Sequence, residues 1–241
     1  MSLFGIVIAA LLSSASVPAD LNAGEQPDAT EVLQRYLSAS EAQKSAMHGI
    51  RSDVDIDARL PKLKKEGRLH ALRSISKVGT VTYHMLGFSG DNTVKKDVIA
   101  RYLTAEVQAQ GNGQDLSISP ANYKFKFRGL QNKDGQQVYV FNIAPRKKEV
   151  GFFKGELWLD PATCMPLREE GRFVKNPSIF FKKMEFVRTY DMQDGVSRPQ
   201  HIDSVVQTRI VGPVELSINF NNYTRAPDDE SEVPAAGADS Q

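Results

Sequence analysis

The sequence predicts a mainly β (α+β) protein in which an up-and-down antiparallel sheet of about ten strands is covered by two amphipathic helices. Three observations support this prediction. Two segments repeat their apolar residues at helical spacing, several others alternate apolar and polar residues, and short turn signals separate the alternating segments. One face of the sheet is rich in large side chains, so the helices have a surface to pack against.

The first predicted helix begins near Asp28, because Asp28-Ala-Thr-Glu31 has the spacing of a capping box. Its apolar residues recur at helical spacing from Val32 to Leu37, and Gly49 ends the pattern. The second predicted helix covers Val94–Gln108, and a Gly/Asn-rich loop ends it.

The predicted strands alternate apolar with polar residues. In Tyr123–Arg128 three aromatic residues alternate with three cations, which places the aromatics on one face and the cations on the other. The returning strand of this hairpin carries Tyr139 and Phe141. The other predicted strands are Ile50–Leu60, two within Arg68–Leu86, Phe153–Asp160, Met165–Val174, Phe180–Tyr190, Pro199–Val211 and Val214–Tyr223.

The stretch GELWLDPATCMPLREEG, residues 155–171, is predicted to be a hairpin turning at Asp160-Pro161. Glu169 and Glu170 are neighbours in its second strand, so they point to opposite faces and do not act as a pair. Glu156 and Glu170 can face each other across the hairpin. The single cysteine, Cys164, has no partner for an intramolecular disulfide and is interpreted as a half-buried strand or turn residue.

The amino terminus has the layout of a secretory signal peptide. The apolar run Leu3–Leu12 is followed by small residues, with a cleavage site after Ser16 or Ala19. A buried first strand or helix is the alternative. We therefore predict a signal peptide at 1–19, one folded domain at 20–225 and a disordered acidic tail at 226–241.

Charge and motifs argue against several classes of function. The chain has 30 Lys+Arg and 29 Asp+Glu residues, so no global field attracts nucleic acid, and no nucleic-acid partner is predicted. Its four histidines form no metal-binding motif, and no G-x-S-x-G is present. No cofactor, metal or catalytic residue is predicted, and a hydrolase using Glu156 and Glu170 is the least favoured alternative.

The order of elements and one motif resemble a known family. The motif G-x-L-W-L-D-P-x-T-x-x-P-L-R, from Gly155 to Arg168, is similar to that of the periplasmic outer-membrane lipoprotein carrier superfamily (LolA/LolB-like). Arg188-Thr189-Tyr190 and the N-F-x-x-Y segment from Asn219 to Tyr223 are similar to segments of its lipoprotein-sorting members. The resemblance covers roughly residues 28–223 and extends to RseB-like sensors of envelope stress.

The resemblance implies an incomplete antiparallel barrel, a half-barrel, that holds lipid acyl chains in its concavity beneath helices that act as a lid. Carriers latch this lid with an arginine, for which Arg51, Arg59 and Arg73 are candidates. An exposed apolar loop for a receptor is also expected, and the nearest candidates are Phe152-Phe153 and residues 179–181.

From these observations we predict a non-catalytic, exported, periplasmic protein that binds lipid or lipoprotein acyl chains, in lipoprotein sorting or lipid transport. The predicted partners are a lipid or acylated lipoprotein and a membrane donor or acceptor protein, and a monomer is expected. A sensor or adaptor that binds a protein partner is the alternative. The residues predicted to line the cavity are Tyr123, Phe125, Phe127, Tyr139, Phe141 and Trp158.

Overall fold

A computed structural model describes residues 27–111, 115–176, 181–209 and 211–226. The predicted signal peptide lies outside these residues, as does the predicted tail beyond Ala226. The helix α1 spans Ala29–Ala46, and Asp28 caps it by accepting a hydrogen bond from the Thr30 amide at 3.1 Å. This confirms the predicted first helix.

A second helical segment follows the third strand. It consists of α2 (Asn92–Val94), a π-helical turn (Lys95–Ile99) and α3 (Ala100–Gly111). Asp91 caps it by accepting a hydrogen bond from the Thr93 amide at 2.7 Å. We call α1 the first cover and residues 92–111 the second cover.

Ten antiparallel strands form one open sheet in the order β3-β2-β1-β10-β9-β8-β7-β6-β5-β4. The strands are β1 Ile50–Leu60, β2 Lys65–Ile75, β3 Val81–Gly90, β4 Tyr123–Lys133, β5 Gln136–Pro145, β6 Phe153–Leu159, β7 Pro166–Phe173, β8 Phe181–Gln193, β9 Val196–Thr208 and β10 Pro213–Arg225. Each strand pairs with the next strand in the chain, except that β3 and β4 do not pair with each other. These two strands are the edges of the sheet. The sheet is therefore a half-barrel, and the second cover belongs to the connection between its two edges.

Both covers lie on the same face of the sheet, which we call the inner face. Beneath the second cover, a first apolar core joins Val94 and Ile99 to the strands β1, β2, β9 and β10. Beneath the first cover, a second core joins Val32 and Tyr36 to β4 through β8. The prediction of a mainly β half-barrel with two covering helices is thus confirmed.

Candidate functional site

A single row of paired residues crosses the inner face from one edge of the sheet to the other. One residue comes from each strand: Phe88, Leu69, Ile56, Ile218, Ile202, Arg188, Glu169, Leu157, Phe141 and Phe127. The row is apolar on both sides and has one ion pair, Arg188–Glu169, at its centre. The inner face therefore consists of two apolar floors with a charged seam between them.

The floor under the first cover is aromatic, and it contains five of the six residues predicted to line a cavity. Tyr123 and Phe141 are each 1% exposed, whereas Phe125, Phe127 and Tyr139 are partly buried and pack against the same core. The ring of Phe141 lies 5.8 Å from that of Phe125 and 4.9 Å from that of Phe127. These five side chains form one contiguous apolar surface.

The structure places Trp158 on the outer face, apart from the other five residues. It packs against Val138, Val140 and Leu167, and its indole N–H donates to Glu156 Oε2 at 2.9 Å. The cations of Lys133 and Arg168 lie 5.1 and 4.7 Å from the centre of its ring. Trp158 is thus shielded by charged side chains that surround it on the wet face of the hairpin.

Two carboxylates of the hairpin, Glu156 and Glu170, lie on the outer face and are each paired with a cation. Glu156 and Glu170 are paired across the strands on the outer face, as predicted. Each has a cation of its own, because Lys133 Nζ lies 3.3 Å from Glu156 and Arg168 Nε donates to Glu170 at 2.8 Å. These cations satisfy the two carboxylates, so the pair is explained as outer-face ion pairing.

The turn of the hairpin also holds the first cover. Asp160 Oδ1 accepts hydrogen bonds from the amides of Ala162 and Thr163 at 3.0 and 2.7 Å, which fixes the loop. Arg35 of α1 donates through Nη2 to the Ala162 carbonyl at 2.5 Å. Cys164, which was expected to be half-buried, is fully buried in the aromatic core, and burial raises the pKa of its thiol.

The first cover is attached to the aromatic floor by four apolar side chains, the buried Val32 and Tyr36 and the partly buried Leu33 and Leu37. Of its 18 residues only Val32 and Tyr36 are buried, and both lie in its first half. The Tyr36 ring lies 6.4 Å from that of Phe125, and its hydroxyl donates to the Ile118 carbonyl at 3.1 Å. Burial raises the pKa of the Tyr36 hydroxyl above its usual range. The second half of α1 contributes no buried residue to the core.

The second cover is fastened by a largely buried ion pair. Arg73, one of the three candidate latching arginines, extends from the inner face of β2 to Glu106 of α3, with Nη2 to Oε1 at 3.0 Å. Tyr83 of β3 donates its hydroxyl to the other oxygen of Glu106. The side chains of Arg73 and Glu106 are 11% and 21% exposed, so this contact is shielded from water.

A polar cluster that the sequence did not predict forms the seam between the two floors. Glu169, only 6% exposed, accepts from Tyr190 Oη at 2.7 Å and from Arg188 Nη1 at 3.1 Å. Burial raises the pKa of Tyr190 well above its usual range, and the Glu169 carboxylate adds to this effect. The Arg188 side chain is 38% exposed, so solvent reaches the inner face here.

The expected apolar receptor loop is not found where the sequence suggested it. Phe152 and Phe153 are 4% and 6% exposed and belong to the aromatic core, because both rings contact Tyr123. This expectation was wrong for that pair. Residues 179 and 180 of the second candidate lie outside the described residues.

Two kinds of feature are absent from the described residues. Within these ranges, no group of three or more His, Cys, Asp and Glu side chains is arranged to hold a metal ion. The helices of the described ranges include none that is long and apolar enough to cross a membrane.

The fold and the inner face define a class of protein, the open antiparallel half-barrels whose apolar inner face is covered by helices. Comparison with family models and with curated proteins finds no match. Comparison with solved structures finds several similar chains.

One is a LolA superfamily protein from Nitrosomonas europaea, with 12% identity, a TM-score of 0.43, and 81% of this chain and 94% of that chain covered. Another is a domain described as an outer membrane lipoprotein-sorting protein, from Vibrio parahaemolyticus, with 14% identity, a TM-score of 0.44, and 86% and 96% covered. A third is the MucA/MucB complex of Pseudomonas aeruginosa, with 9% identity, a TM-score of 0.25, and 80% and 99% covered. These structures come from the families that the sequence resembles. Because all three TM-scores are below 0.5, function must be argued from the inner face itself.

Proposed function

We propose that this protein is a non-catalytic binding protein that holds an acyl chain of a lipid or lipoprotein between the aromatic floor and the first cover. The observation that carries the proposal is the combination of a contiguous aromatic surface with a cover that buries only Val32 and Tyr36 on it. An element with so few buried contacts opens at low free energy. The first cover is therefore the lid.

The free energies of lifting the lid and of burying an acyl chain support this role. Lifting α1 exposes the buried Val32 and Tyr36, which costs roughly 3–6 kcal/mol at about 1.5–3 kcal/mol for each buried side chain. The partly buried Leu33 and Leu37 leave the same core and add to this cost. An acyl chain that takes their place contributes about 0.8 kcal/mol for each buried CH₂ group. About eight CH₂ groups then offset the exposure of the two side chains. Longer chains leave a surplus for binding.

The two covers have different roles in this proposal. The second cover keeps the Arg73–Glu106 pair and stays closed, because breaking a shielded ion pair leaves a charge without its partner. The first cover moves. Solvent already reaches the inner face at Arg188, between the two floors, and a ligand enters at this seam.

The protein acts in the periplasm and takes part in lipoprotein sorting or lipid transport. The apolar run Leu3–Leu12 and the small residues that follow it support export. A membrane donor or acceptor protein supplies or receives the lipid.

Native mass spectrometry of the protein purified from a periplasmic extract tests the proposal, with organic extraction of whatever is released. We expect a co-purifying acylated species that is lost in Phe125→Asp, on the aromatic floor, and retained in Val205→Asp. The control Val205 is 39% exposed and lies on the outer face, since its neighbours in β9 face inward. Phe125→Ala serves as a second variant if Phe125→Asp does not fold.

A clean mass for the wild-type protein, with no shift after addition of lipid or acylated peptide, contradicts the proposal. The aromatic floor is then ordinary core, and a role in binding a protein partner becomes the better account. Equal loss of the acylated species in Phe125→Asp and Val205→Asp also contradicts it, because the effect is then not specific to the inner face.

A further inference from the structure

The inner face carries two arginine–glutamate pairs, and they differ in how far solvent reaches them. Arg73 and Glu106, which fasten the second cover, are both shielded from water. In the seam the side chain of Glu169 is 7% exposed, whereas that of Arg188 is 38% exposed. The seam therefore buries its carboxylate and presents its guanidinium.

The exposed part of the seam consists of hydrogen-bond donors. Glu169 uses one oxygen to accept from Tyr190 at 2.7 Å and the other to accept from Arg188 Nη1 at 3.1 Å. The Tyr190 hydroxyl is also a hydrogen-bond partner of Arg188. A guanidinium carries N–H donors on each of its nitrogens and no acceptor, so donors of Arg188 remain for a further acceptor.

The guanidinium of Arg188 borders the aromatic floor on the same face of the sheet. Phe186 lies two residues before Arg188 in β8, so the two side chains point to the same side. The centre of the Phe186 ring lies 5.9 Å from Arg188 Cζ, and it lies 4.8 Å from the ring of Phe153 and 5.1 Å from that of Phe173. An apolar chain on this floor can therefore bring a polar group at its end to Arg188.

The seam lies where the two covers meet. Tyr36 of the first cover and Tyr102 of the second both respond to its charges. Burial is the main reason that the pKa values of both hydroxyls are raised, with Glu169 adding to the rise for Tyr36 and Arg188 opposing it for Tyr102. A ligand held under the first cover thus has its polar end at this boundary, because the second cover stays closed.

The charges of the seam favour a neutral acceptor over an anion. The Arg188–Glu169 pair has no net charge, and a second carboxylate at Arg188 would be repelled by Glu169. An ester carbonyl accepts a hydrogen bond without bringing a charge. An amide would add an N–H group, and the two oxygens of Glu169 are already engaged. A group that only accepts therefore matches a surface that only donates.

We infer that Arg188 binds the carbonyl oxygen of the ester that joins an acyl chain to glycerol, while the chain itself lies on the aromatic floor. This inference rests on the proposed function and names its ligand class, the acylglycerol esters. A ligand of this class places one acceptor at the seam and apolar carbon on the floor.

Isothermal titration calorimetry with soluble probes, below their critical micelle concentrations, tests the inference on the purified protein. The ester 1-decanoylglycerol is compared with the ether 1-O-decylglycerol, which lacks the carbonyl, and with the anion decanoate. The seam variant combines Arg188→Met with Glu169→Gln, so that no buried charge is left without its partner. The matched control combines Arg168→Met with Glu170→Gln, which removes the corresponding pair from the outer face.

We expect wild type to bind the ester roughly tenfold more tightly than the ether, because a hydrogen bond from a charged donor is lost with the carbonyl. Decanoate should bind more weakly than the ester. The seam variant should lose the preference for the ester and keep the wild-type affinity for the ether, whereas the control should keep both. If the seam variant does not fold, Arg188→Lys replaces it, and a smaller preference than in wild type is expected because lysine lacks the fork of donors.

The outcomes separate this inference from the proposed function. If wild type binds ester and ether equally well, Arg188 has no role in recognising the carbonyl, yet acyl binding stands. If wild type binds none of the three probes, the proposed function fails and the inference fails with it. A preference for the ester that persists in the seam variant, or that disappears equally in the control, overturns the assignment to Arg188. Tighter binding of decanoate than of the ester makes the seam a site for anions and overturns the ligand class.

Discussion

The neighbouring carboxylates Glu169 and Glu170 allow a direct measurement of how much the seam contributes to stability. In Glu169→Gln the shape of the side chain is kept while its charge is lost. The hydrogen bonds from Tyr190 at 2.7 Å and Arg188 at 3.1 Å then lose their ionised acceptor. A hydrogen bond to a charged group contributes about 1 kcal/mol more than a neutral one. Two bonds therefore give a loss of about 2 kcal/mol.

The partial exposure of Arg188, at 38%, keeps the effect below the 3–5 kcal/mol that is typical of a fully buried pair. A loss of 2 kcal/mol lowers Tm by roughly 4–8 °C in a protein of this size. Urea denaturation followed by circular dichroism measures the free energy, with an unchanged m-value as evidence that the native fold is retained.

Glu170→Gln is the matched control, since it makes the same chemical change one residue away on the opposite face. Glu170 accepts a hydrogen bond from Arg168 at 2.8 Å, and the two side chains are 32% and 27% exposed. We expect a loss of about 0.5 kcal/mol, as for a surface pair. Equal losses in the two variants, or a larger loss for Glu170→Gln, would refute the reasoning.

Three further predictions concern the second cover, the hairpin and alkaline pH. Glu106→Gln should lower the free energy of unfolding by about 3 kcal/mol, because Arg73 loses its charged partner. It should also speed hydrogen exchange in residues 92–111. Unchanged exchange there would contradict a role of the Arg73–Glu106 pair in holding the second cover. Gly155→Ala should lower the free energy of unfolding by about 3 kcal/mol or more, because a Cβ there would lie 1.8 Å from a backbone oxygen of β7. In the control Gly87→Ala the added Cβ meets nothing within 4 Å, so the urea midpoint should change little. Equal midpoints for the two variants would contradict the close approach of β6 and β7 at Gly155. Burial raises the pKa of Tyr123 from 10.0 to about 12, so the contribution of its neutral hydroxyl to stability is complete below pH 10 and is lost as the pH rises to about 12. Tyr123→Phe should therefore unfold at a higher pH than the wild-type protein. An alkaline unfolding transition at the same pH in both proteins would count against this.

Much of the fold could be predicted from the sequence because its signals are local. The strand β1 has the predicted bounds, Ile50–Leu60, since strict alternation and a proline at position 61 mark both its faces and its end. The turns at Asp134-Gly135 and Asp194-Gly195 have the Asp-Gly sequence typical of hairpin turns, and all four residues have positive φ. Turn chemistry and alternation need no knowledge of distant residues.

The seam could not be predicted, because it depends on pairings between distant parts of the chain. Arg188 and Glu169 meet only when β7 and β8 adopt the observed register. One local signal could have found Glu169, since it shares a face of β7 with Phe173, and a charged residue on an apolar face requires a partner. Trp158 illustrates the converse. Strand alternation alone puts Trp158 on the same face as Glu156, the outer face, whereas its aromatic character was the only reason to group it with the aromatic floor.

The pairing of β1 with β10 has a consequence for how the chain folds. The first and last strands lie side by side as the third and fourth strands of the sheet, and Asn222 donates to Asp53 from 169 residues away in the chain. In the group β1 to β3, the outer side of β1 therefore has no strand to pair with until synthesis of β10 is complete. Joining such distant segments slows folding, and an unpaired β1 edge invites aggregation in the meantime. A chain truncated before β10 should leave its first three strands separated from the rest of the sheet, as two incomplete halves.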